Sequence, residues 1–152
     1  LDQLVSWTTF GHHAEVFSGT ATYTTTFVQP TTAVRWWQLD LGRVAESARV
    51  RLNGRAVATL IGPPFRVVLD PSQLRATNSL EVSVTNLSAN RVRDLDVRGV
   101  SWKKFYNVNF PARLPENRGA DGLFTAARWE PLESGLLGPV TLTPQTTVPT
   151  MR

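Results

Sequence analysis

Eight acidic residues could supply the paired carboxylates that cleave glycosidic bonds. Such cleavage usually needs two carboxyl groups flanking the bond, spaced for direct attack or for attack through a water molecule. The candidates are Glu15, Asp40, Asp94, Asp96, Glu116, Asp121, Glu130 and Glu133. None of them stands in a catalytic sequence signature, and twelve carboxylates are present among the 152 residues. The sequence therefore predicts a domain without catalytic activity of its own.

His12 and His13 are the two histidines of the chain and could be interpreted as a metal-binding pair. Adjacent side chains of an extended chain diverge, however, and no cysteine or third histidine is present to complete a zinc site. We therefore expect this pair to be exposed or partly buried in a loop. Gly-rich phosphate loops and a Gly-x-Ser-x-Gly nucleophile elbow are also absent from the sequence.

Sugar binding needs residues that the chain does contain. A pyranose ring has an apolar C–H face and a rim of hydroxyls, so its sites combine an aromatic ring with planar polar groups. Two places in the sequence offer this combination, one on a strand and one in loop-like sequence. They are Trp36 beside Gln38, and the set Trp102, Tyr106, Asn107 and Arg118. We favour the second place, because sandwich domains usually bind ligands through connecting loops.

These side chains must be positioned by short strands. Ala48, Val50 and Leu52 alternate with Arg49 and Arg51, which is the period of a half-buried strand. Asn53-Gly54 follows, and both residues tolerate positive φ, so the sequence predicts a tight hairpin. Leu80, Val82 and Val84 alternate with polar residues in the same way.

Further strands are predicted at residues 20–27, 34–41, 65–69 and 139–142. The adjacent residues Trp36 and Trp37 must face opposite ways on a strand, so one of them points away from the core. We expect Trp7, Trp37 and Trp129 to lie in the core. A short helical turn is predicted at Gln73-Leu74, residues 87–130 look loop-rich, and no helix of convincing length is visible. This pattern predicts an all-β fold, an antiparallel β-sandwich.

Several segments, in this order, resemble a known family. They are Phe17-Ser18-Gly19-Thr20-Ala21-Thr22-Tyr23, Leu39-Asp40-Leu41-Gly42-Arg43-Val44, Val50-Arg51-Leu52-Asn53-Gly54, Pro63-Pro64-Phe65, Asn78 to Asn86 and Glu133 to Val140. Together they resemble the sugar-binding β-sandwich of glycoside hydrolase family 2, and more closely the C-terminal β-sandwich of family 106 α-L-rhamnosidases. The resemblance covers roughly residues 15 to 143.

The resemblance implies a galactose-binding-like jelly roll. We expect one sandwich domain over residues 1–143 and a C-terminal tail over residues 144–152. In the enzymes that it resembles, the catalytic acids belong to a separate domain. Domains of this fold often carry a structural calcium, although no Asp-rich loop identifies ligands here. No cofactor is expected to be required, and the metal-binding residues are unknown.

The amino-acid composition limits which classes of partner we expect. The net charge of +4 favours acidic partners, and a uronate-containing polysaccharide fits it as well as nucleic acid does. The arginines are scattered singly, however, and no nucleic-acid-binding motif is present, so we expect no nucleic-acid partner. Ordinary surface arginine explains the charge as well. No apolar run approaches the length of a membrane span, so no membrane partner is expected.

The leading hypothesis is a carbohydrate-binding module cut from a multidomain, rhamnosidase-like polysaccharide-degrading enzyme. Its ligand would be a plant or algal polysaccharide or oligosaccharide, rhamnose- or uronate-containing. The sequence lacks a start Met, so we expect a larger protein around it. The absence of cysteines is compatible with a secreted or periplasmic bacterial enzyme, which is the localisation that we expect. The alternative is a structural accessory domain that supports the catalytic domain of the parent enzyme and binds little sugar. A third hypothesis, a protein-interaction sandwich, has no positive feature.

Overall fold

The computed structural model describes residues 3–32, 34–103 and 113–146 of the chain. Nine β-strands are present in this part of the sequence. They are β1 (Thr20–Val28), β2 (Trp36–Asp40), β3 (Arg43–Ala45), β4 (Ser47–Leu52), β5 (Arg55–Leu60), β6 (Arg66–Leu69), β7 (Thr77–Thr85), β8 (Gly135–Gly138) and β9 (Thr141–Gln145). Two α-helices, α1 (His12–Glu15) and α2 (Ala89–Val97), and 3-10 turns at Trp7–Phe10, Pro71–Gln73 and Pro115–Asn117 accompany them.

The strands pair antiparallel in sheets of four, three and two strands. The four-stranded sheet has the order β1-β7-β4-β5, the three-stranded sheet β6-β2-β9, and β3 pairs with β8. The buried faces of the two larger sheets form one apolar core, with Trp37 and Leu69 from one sheet and Val50, Val82 and Val84 from the other. This arrangement confirms the predicted all-β antiparallel sandwich.

The sequence pattern explains the local structure of the hairpin. Ala48, Val50 and Leu52 are buried and the arginines between them are exposed, as the alternation predicts. Asn53 has φ 52° and Gly54 has φ 80°, which are the left-handed values that a two-residue hairpin turn requires. The turn fixes the register, and Leu52 lies directly opposite Arg55.

The described residues form two compact units, which we consider separately. Unit 1 comprises residues within Leu1–Ser6, Thr20–Asn86 and Ser134–Arg152, and unit 2 comprises residues within Trp7–Gly19 and Leu87–Glu133. All nine strands of the described part lie in unit 1. The single domain over residues 1–143 stays a prediction, but β9 ends at Gln145, two residues beyond the predicted end of the domain.

Unit 2 contains the main difference from expectation. The sequence predicts no convincing helix, yet α2 spans nine residues. The residues that α2 buries are polar, Asn90 and Asp94, four positions apart on one helix face. A buried polar face has no apolar periodicity, so the pattern that normally predicts a helix is missing.

Asn90 shows how this helix is fixed within unit 2. Its side-chain amide donates to the carbonyl of Leu132 at 2.8 Å and accepts from the amide N–H of Leu132 at 2.8 Å. Arg93 donates from Nε to the carbonyl of Trp129 at 2.6 Å.

No helix in the described residues is long and apolar enough to cross a membrane.

Candidate functional site

The predicted site residues lie in both units. Trp102 and Arg118 belong to unit 2 and Trp36 belongs to unit 1. Tyr106 and Asn107 lie outside the described residues, so their predicted roles stay predictions. Trp36 and Gln38 are both half-buried, on the face of β2 opposite to buried Trp37. The expectation that one of the two adjacent tryptophans points away from the core is therefore confirmed.

Trp102 lines an open groove of about 530 Å³ in unit 2. Asp96, Lys103, Asp121 and Phe124 line the same groove. Arg118 is not among its lining residues, and the exposed Arg118 forms an isolated bridge with Phe124 through its backbone. The structure thus brings Trp102 into a concave surface without bringing Arg118 there.

Asp96 anchors the Trp102 side of the groove. The indole Nε1 of Trp102 donates to Asp96 Oδ1 at 2.6 Å, and Lys103 Nζ lies 3.1 Å from the same oxygen. The amide N–H of Ala126 donates to Asp96 Oδ2 at 2.8 Å. Both oxygens of the Asp96 carboxylate therefore have partners, and one of those partners is the indole N–H of Trp102.

The charge state of Asp96 follows from these contacts. Burial of the carboxylate opposes ionisation, but hydrogen bonds from Ala126, Trp102 and Lys103 outweigh it, so the pKa of Asp96 is lowered. Asp96 is consequently an anion at neutral pH. It acts as an acceptor for the N–H groups of its neighbours.

Lys103 links the two aromatic rings of the groove. Its Nζ lies 5.6 Å from the centroid of Trp102 and 5.4 Å from that of Phe124, within cation–π range, and it donates to the carbonyl of Phe124. Asp121 is exposed at the rim, where Oδ1 accepts from the amide N–H of Leu123 at 3.0 Å. The groove thus combines aromatic surface, one cation and one exposed carboxylate.

Asp94 forms a second, separate charge cluster on α2. It is almost completely buried, Arg98 donates to both of its oxygens at 2.8 to 3.1 Å, and His12 Nε2 and Arg91 Nη1 lie 3.4 and 3.5 Å away. The hydrogen bond from Arg98 is the largest cause of its lowered pKa. His12 and His13 are exposed as expected, but they lie in α1 rather than in an extended loop.

The other carboxylates that were considered for catalysis include two with clear structural partners. Asp40 accepts from Arg66 Nε at 2.7 Å and from the amide N–H of Gly42 at 2.8 Å. Glu15 lies 3.4 Å from Arg93 Nη1. Among the described residues no three His, Cys, Asp or Glu side chains could jointly hold a metal ion. The calcium implied by the resemblance is therefore not matched by a carboxylate cluster there, and it stays an untested prediction.

The three tryptophans that are predicted to lie in the core differ in how deeply they are buried. Trp37 is buried in the sandwich core and Trp7 is buried in unit 2, where it packs edge-on against Phe17 at 5.6 Å. Trp129 is only half-buried, which the sequence prediction did not anticipate. Its indole Nε1 donates to Oδ1 of the buried Asn117 at 2.8 Å, and its ring packs edge-on against Phe124 with 5.6 Å between centroids, so only part of the ring is covered.

Sequence reasoning missed the role of Lys103 in the groove and a second concavity in unit 1. The second concavity, about 290 Å³, is lined by Arg55 and Arg75 together with Asn53 and Gln73. Arg55 and Arg75 are 20 positions apart in the sequence, so no local motif connects them. The only available signal was the position of each beside a predicted turn.

Comparison with known proteins gives two informative matches. The chain is 35% identical over 159 aligned positions to a protein from Formosa agariphila provisionally named a beta-glucuronidase, covering 91% of this chain and 13% of that protein. It matches the rhamnosidase structure from Novosphingobium sp. PP1Y at 30% identity and a TM-score of 0.63, covering 85% of this chain and 11% of the rhamnosidase. No protein-family model matches the sequence.

A third match is weaker. The Bifidobacterium dentium beta-glucuronidase shares 22% identity over 54% of this chain, with a TM-score of 0.45. The first two matches show that this chain resembles a small part of two glycoside hydrolases, and they support an accessory domain of such an enzyme. The chain spans about an eighth of the length of the curated relative.

Proposed function

We propose that this chain is a noncatalytic carbohydrate-binding domain of a glycoside hydrolase, and that it binds sugar in the groove beside Trp102. The observation that carries the proposal is the groove itself, about 530 Å³ in volume and lined by Trp102, Lys103, Asp121 and Phe124. This volume lies within the range of ligand pockets, roughly 300 to 1,000 Å³. Aromatic surface can contact the C–H face of a pyranose, and the charged groups can bind its hydroxyls.

The anchoring of Trp102 supports this assignment. A ring whose N–H is already hydrogen-bonded to buried Asp96 loses little conformational freedom when a ligand contacts it. Binding should nevertheless be weak, because an open groove immobilises few sugar rings and the cost of association is large. The parent enzyme would act on a plant or algal polysaccharide with rhamnose or uronate units.

The remaining details belong to the same proposal. The sandwich is a galactose-binding-like jelly roll, and the parent enzyme is secreted or periplasmic and attacks its substrate with a separate catalytic domain. We propose no reaction for this chain, since Asp94 and Asp96 already serve as acceptors for cationic and N–H groups of unit 2. The chain alone should release no reducing sugar from aryl-rhamnosides or aryl-glucuronides.

Affinity electrophoresis tests the binding function. The full chain should be retarded in gels containing pectin, rhamnogalacturonan or ulvan, and Trp102→Ala should remove the retardation. Because Trp102 also holds Asp96, Asp121→Asn is a second test: it keeps the Oδ1 acceptor for Leu123 and removes only the charge at the rim. Trp36→Ala is the matched control, from the other predicted sugar site. If Trp36→Ala removes the retardation and both groove variants keep it, the sugar binds at β2 and not in the groove.

A second candidate function is favoured by a specific feature of unit 2. Eight of the eleven large apolar side chains that are exposed among the described residues belong to this unit. They are Phe10, Phe17, Leu87, Val97, Val100, Leu114, Leu123 and Leu132. A contiguous apolar patch marks an interaction site, so a unit 2 that presents these side chains as one patch would instead support a catalytic domain. Two results together would favour this candidate. No polysaccharide would retard the chain, and the chain would bind a dye specific for apolar surface, with weaker binding after Val97→Lys or Leu114→Lys.

A further inference from the structure

The second concavity, in unit 1, is lined by two arginines whose guanidinium groups have no partner among the described residues. Neither the guanidinium group of Arg55 nor that of Arg75 makes a hydrogen bond or ion pair with any residue in the part of the chain that the structure describes. Arg51, Arg66 and Arg98, by contrast, each pair with a carboxylate. Two like charges lining one concavity repel each other, and an anion placed between them would remove that repulsion.

The register of the hairpin directs Arg55 toward the concavity. Arg55 lies directly opposite Leu52, and directly opposed residues of an antiparallel pair share a face of the sheet. Leu52 is buried and lines the same concavity. Arg51 belongs to the opposite face, where it pairs with Glu81 at 3.8 Å. Glu81 is therefore on the wrong side of the sheet to neutralise Arg55.

Arg75 is held by a buried asparagine. The side chain of Asn78, 1% exposed, accepts from the amide N–H of Arg75 at 2.8 Å and donates to its carbonyl at 2.7 Å. Asn53 Nδ2 joins the hairpin turn to this network, at 3.0 Å from Asn78 Oδ1 and 3.1 Å from the carbonyl of Gln73. Both arginines thus project from backbone that is fixed before any ligand arrives.

The chemistry of the lining selects an anion. A guanidinium group presents paired N–H donors that match the oxygens of a carboxylate or a sulfate. Asn53, Ser72 and Gln73 add neutral polar groups, and no carboxylate lines this concavity among the described residues. Its volume of about 290 Å³ is at the lower end of ligand pockets, which fits one substituted sugar unit better than a long chain segment.

We propose that Arg55 and Arg75 form a binding site for the oxyanion substituent of an acidic sugar, either a uronate carboxylate or a sulfate ester. The site would make the domain prefer acidic over neutral polysaccharide. This inference rests on the proposed carbohydrate-binding function, which it deepens by naming the charge of the ligand. It concerns different residues from the Trp102 groove, so the two can fail separately.

The test is a titration of the ¹⁵N-labelled full chain followed by NMR. The probes are glucuronate, glucose 6-sulfate, neutral methyl glucoside and inorganic sulfate. We expect glucuronate or glucose 6-sulfate to shift the side-chain amide of Asn53 and the backbone amide of Arg75 saturably, and methyl glucoside to leave both unchanged. The stronger of the two acidic sugars identifies the substituent. Inorganic sulfate that binds as tightly as either sugar would overturn the proposal in favour of a simple ion site.

Matched variants complete the test. R55Q/R75Q should weaken the acidic sugar at least tenfold. R35Q/R49Q removes the same charge from two exposed arginines that also lack a partner in the described residues, and it should keep the affinity within twofold. If both double variants lose the same affinity for the acidic sugar, net charge explains the binding and the proposed site is wrong. The two proposals can be told apart. If acidic sugars cause no NMR shift but neutral polysaccharide still binds through Trp102, this inference is refuted and the proposed function stands.

Discussion

Asn53 Nδ2 lies 3.0 Å from Asn78 Oδ1, and this contact connects the turn between β4 and β5 to the start of β7. Asn53 also accepts from the amide N–H of Ser79 through Oδ1 at 3.1 Å, so its side chain is used at both ends. The residue that allows the tight turn by adopting positive φ is therefore also the residue that fixes the turn in unit 1. Local conformation and tertiary contact depend on the same side chain.

We expect Asn78→Ala to destabilise unit 1 by about 2 to 4 kcal/mol, because it removes a buried side chain with three hydrogen-bond partners. Ser79→Ala is the control, at an exposed neighbour on β7. The Ser79 hydroxyl makes no hydrogen bond in the described part of the chain, so this change should cost no more than about 0.5 kcal/mol. Urea unfolding followed by circular dichroism measures both free energies. Equal losses in the two variants would contradict the central role of Asn78.

Gly42 tests how closely the backbone packs beside β3. It has φ +64°, and a Cβ built on it would lie 2.4 Å from the carbonyl carbon and oxygen of Gly138. Gly42→Ala should therefore cost on the order of 4 kcal/mol or more, since strain and a backbone clash add together. Gly54→Ala meets the positive-φ cost of roughly 1 to 2 kcal/mol without a clash.

Gly62→Ala supplies the third member of this series. It has neither positive φ nor an atom within 4 Å of the new Cβ, so we expect a change within about 1 kcal/mol. Thermal unfolding of the three variants should give the order Gly42, Gly54, Gly62 from the largest loss to the smallest. A loss at Gly42 no larger than that at Gly54 would contradict the cost of the clash, and a loss at Gly54 no larger than that at Gly62 would contradict the cost of positive φ.

Regular alternation explains why the sandwich was predictable from the sequence. Val50 and Val82 face the core and their neighbours in the chain are polar, so the period of two indicates which side chains are buried. The helix α2 was not predictable in this way, since it buries Asn90 and Asp94 instead of apolar residues. Its buried face depends on hydrogen bonds to residues about 40 positions away, such as Leu132.

The candidate site was predictable only in part. Trp102 was identified from its residue type and loop-like surroundings, and it does line a groove. Arg118 is predicted from its loop-like sequence, where a guanidinium could project, but it is not among the residues that line that groove. The Arg55 and Arg75 pair could not be found, because two separate turns must first be brought together by Asn53 and Asn78.

Asp94 should make the stability of unit 2 sensitive to acid. Arg98, with smaller contributions from His12 and Arg91, holds the pKa of Asp94 below its usual value of 3.8. The folded state thus binds the proton less readily than the unfolded state. Its stabilising contribution is complete above pH about 4 and is lost as the pH falls through the lowered pKa of the folded state.

Asp94→Asn should remove this contribution, so that the variant is less stable than the parent at pH 7 and the difference narrows toward pH 2. Glu130→Gln, at an exposed carboxylate, is the control and should follow the parent curve. Thermal midpoints measured between pH 2 and pH 7 give the comparison. A gap between Asp94→Asn and the parent that stays constant with pH would exclude ionised Asp94 as the source.

Trp102 and Trp36 form a matched pair for the contribution of the indole N–H. Trp102 donates to Asp96 at 2.6 Å, whereas Trp36 Nε1 is buried without a hydrogen-bond partner among the described residues. Trp102→Phe keeps an aromatic ring but leaves the buried Asp96 with one donor fewer, which should cost about 1 to 3 kcal/mol. Trp36→Phe removes an unsatisfied polar group, so that change should be neutral or slightly stabilising. Urea unfolding of both variants measures the difference, and a larger loss for Trp36→Phe than for Trp102→Phe would contradict the expected contribution of the hydrogen-bonded indole N–H.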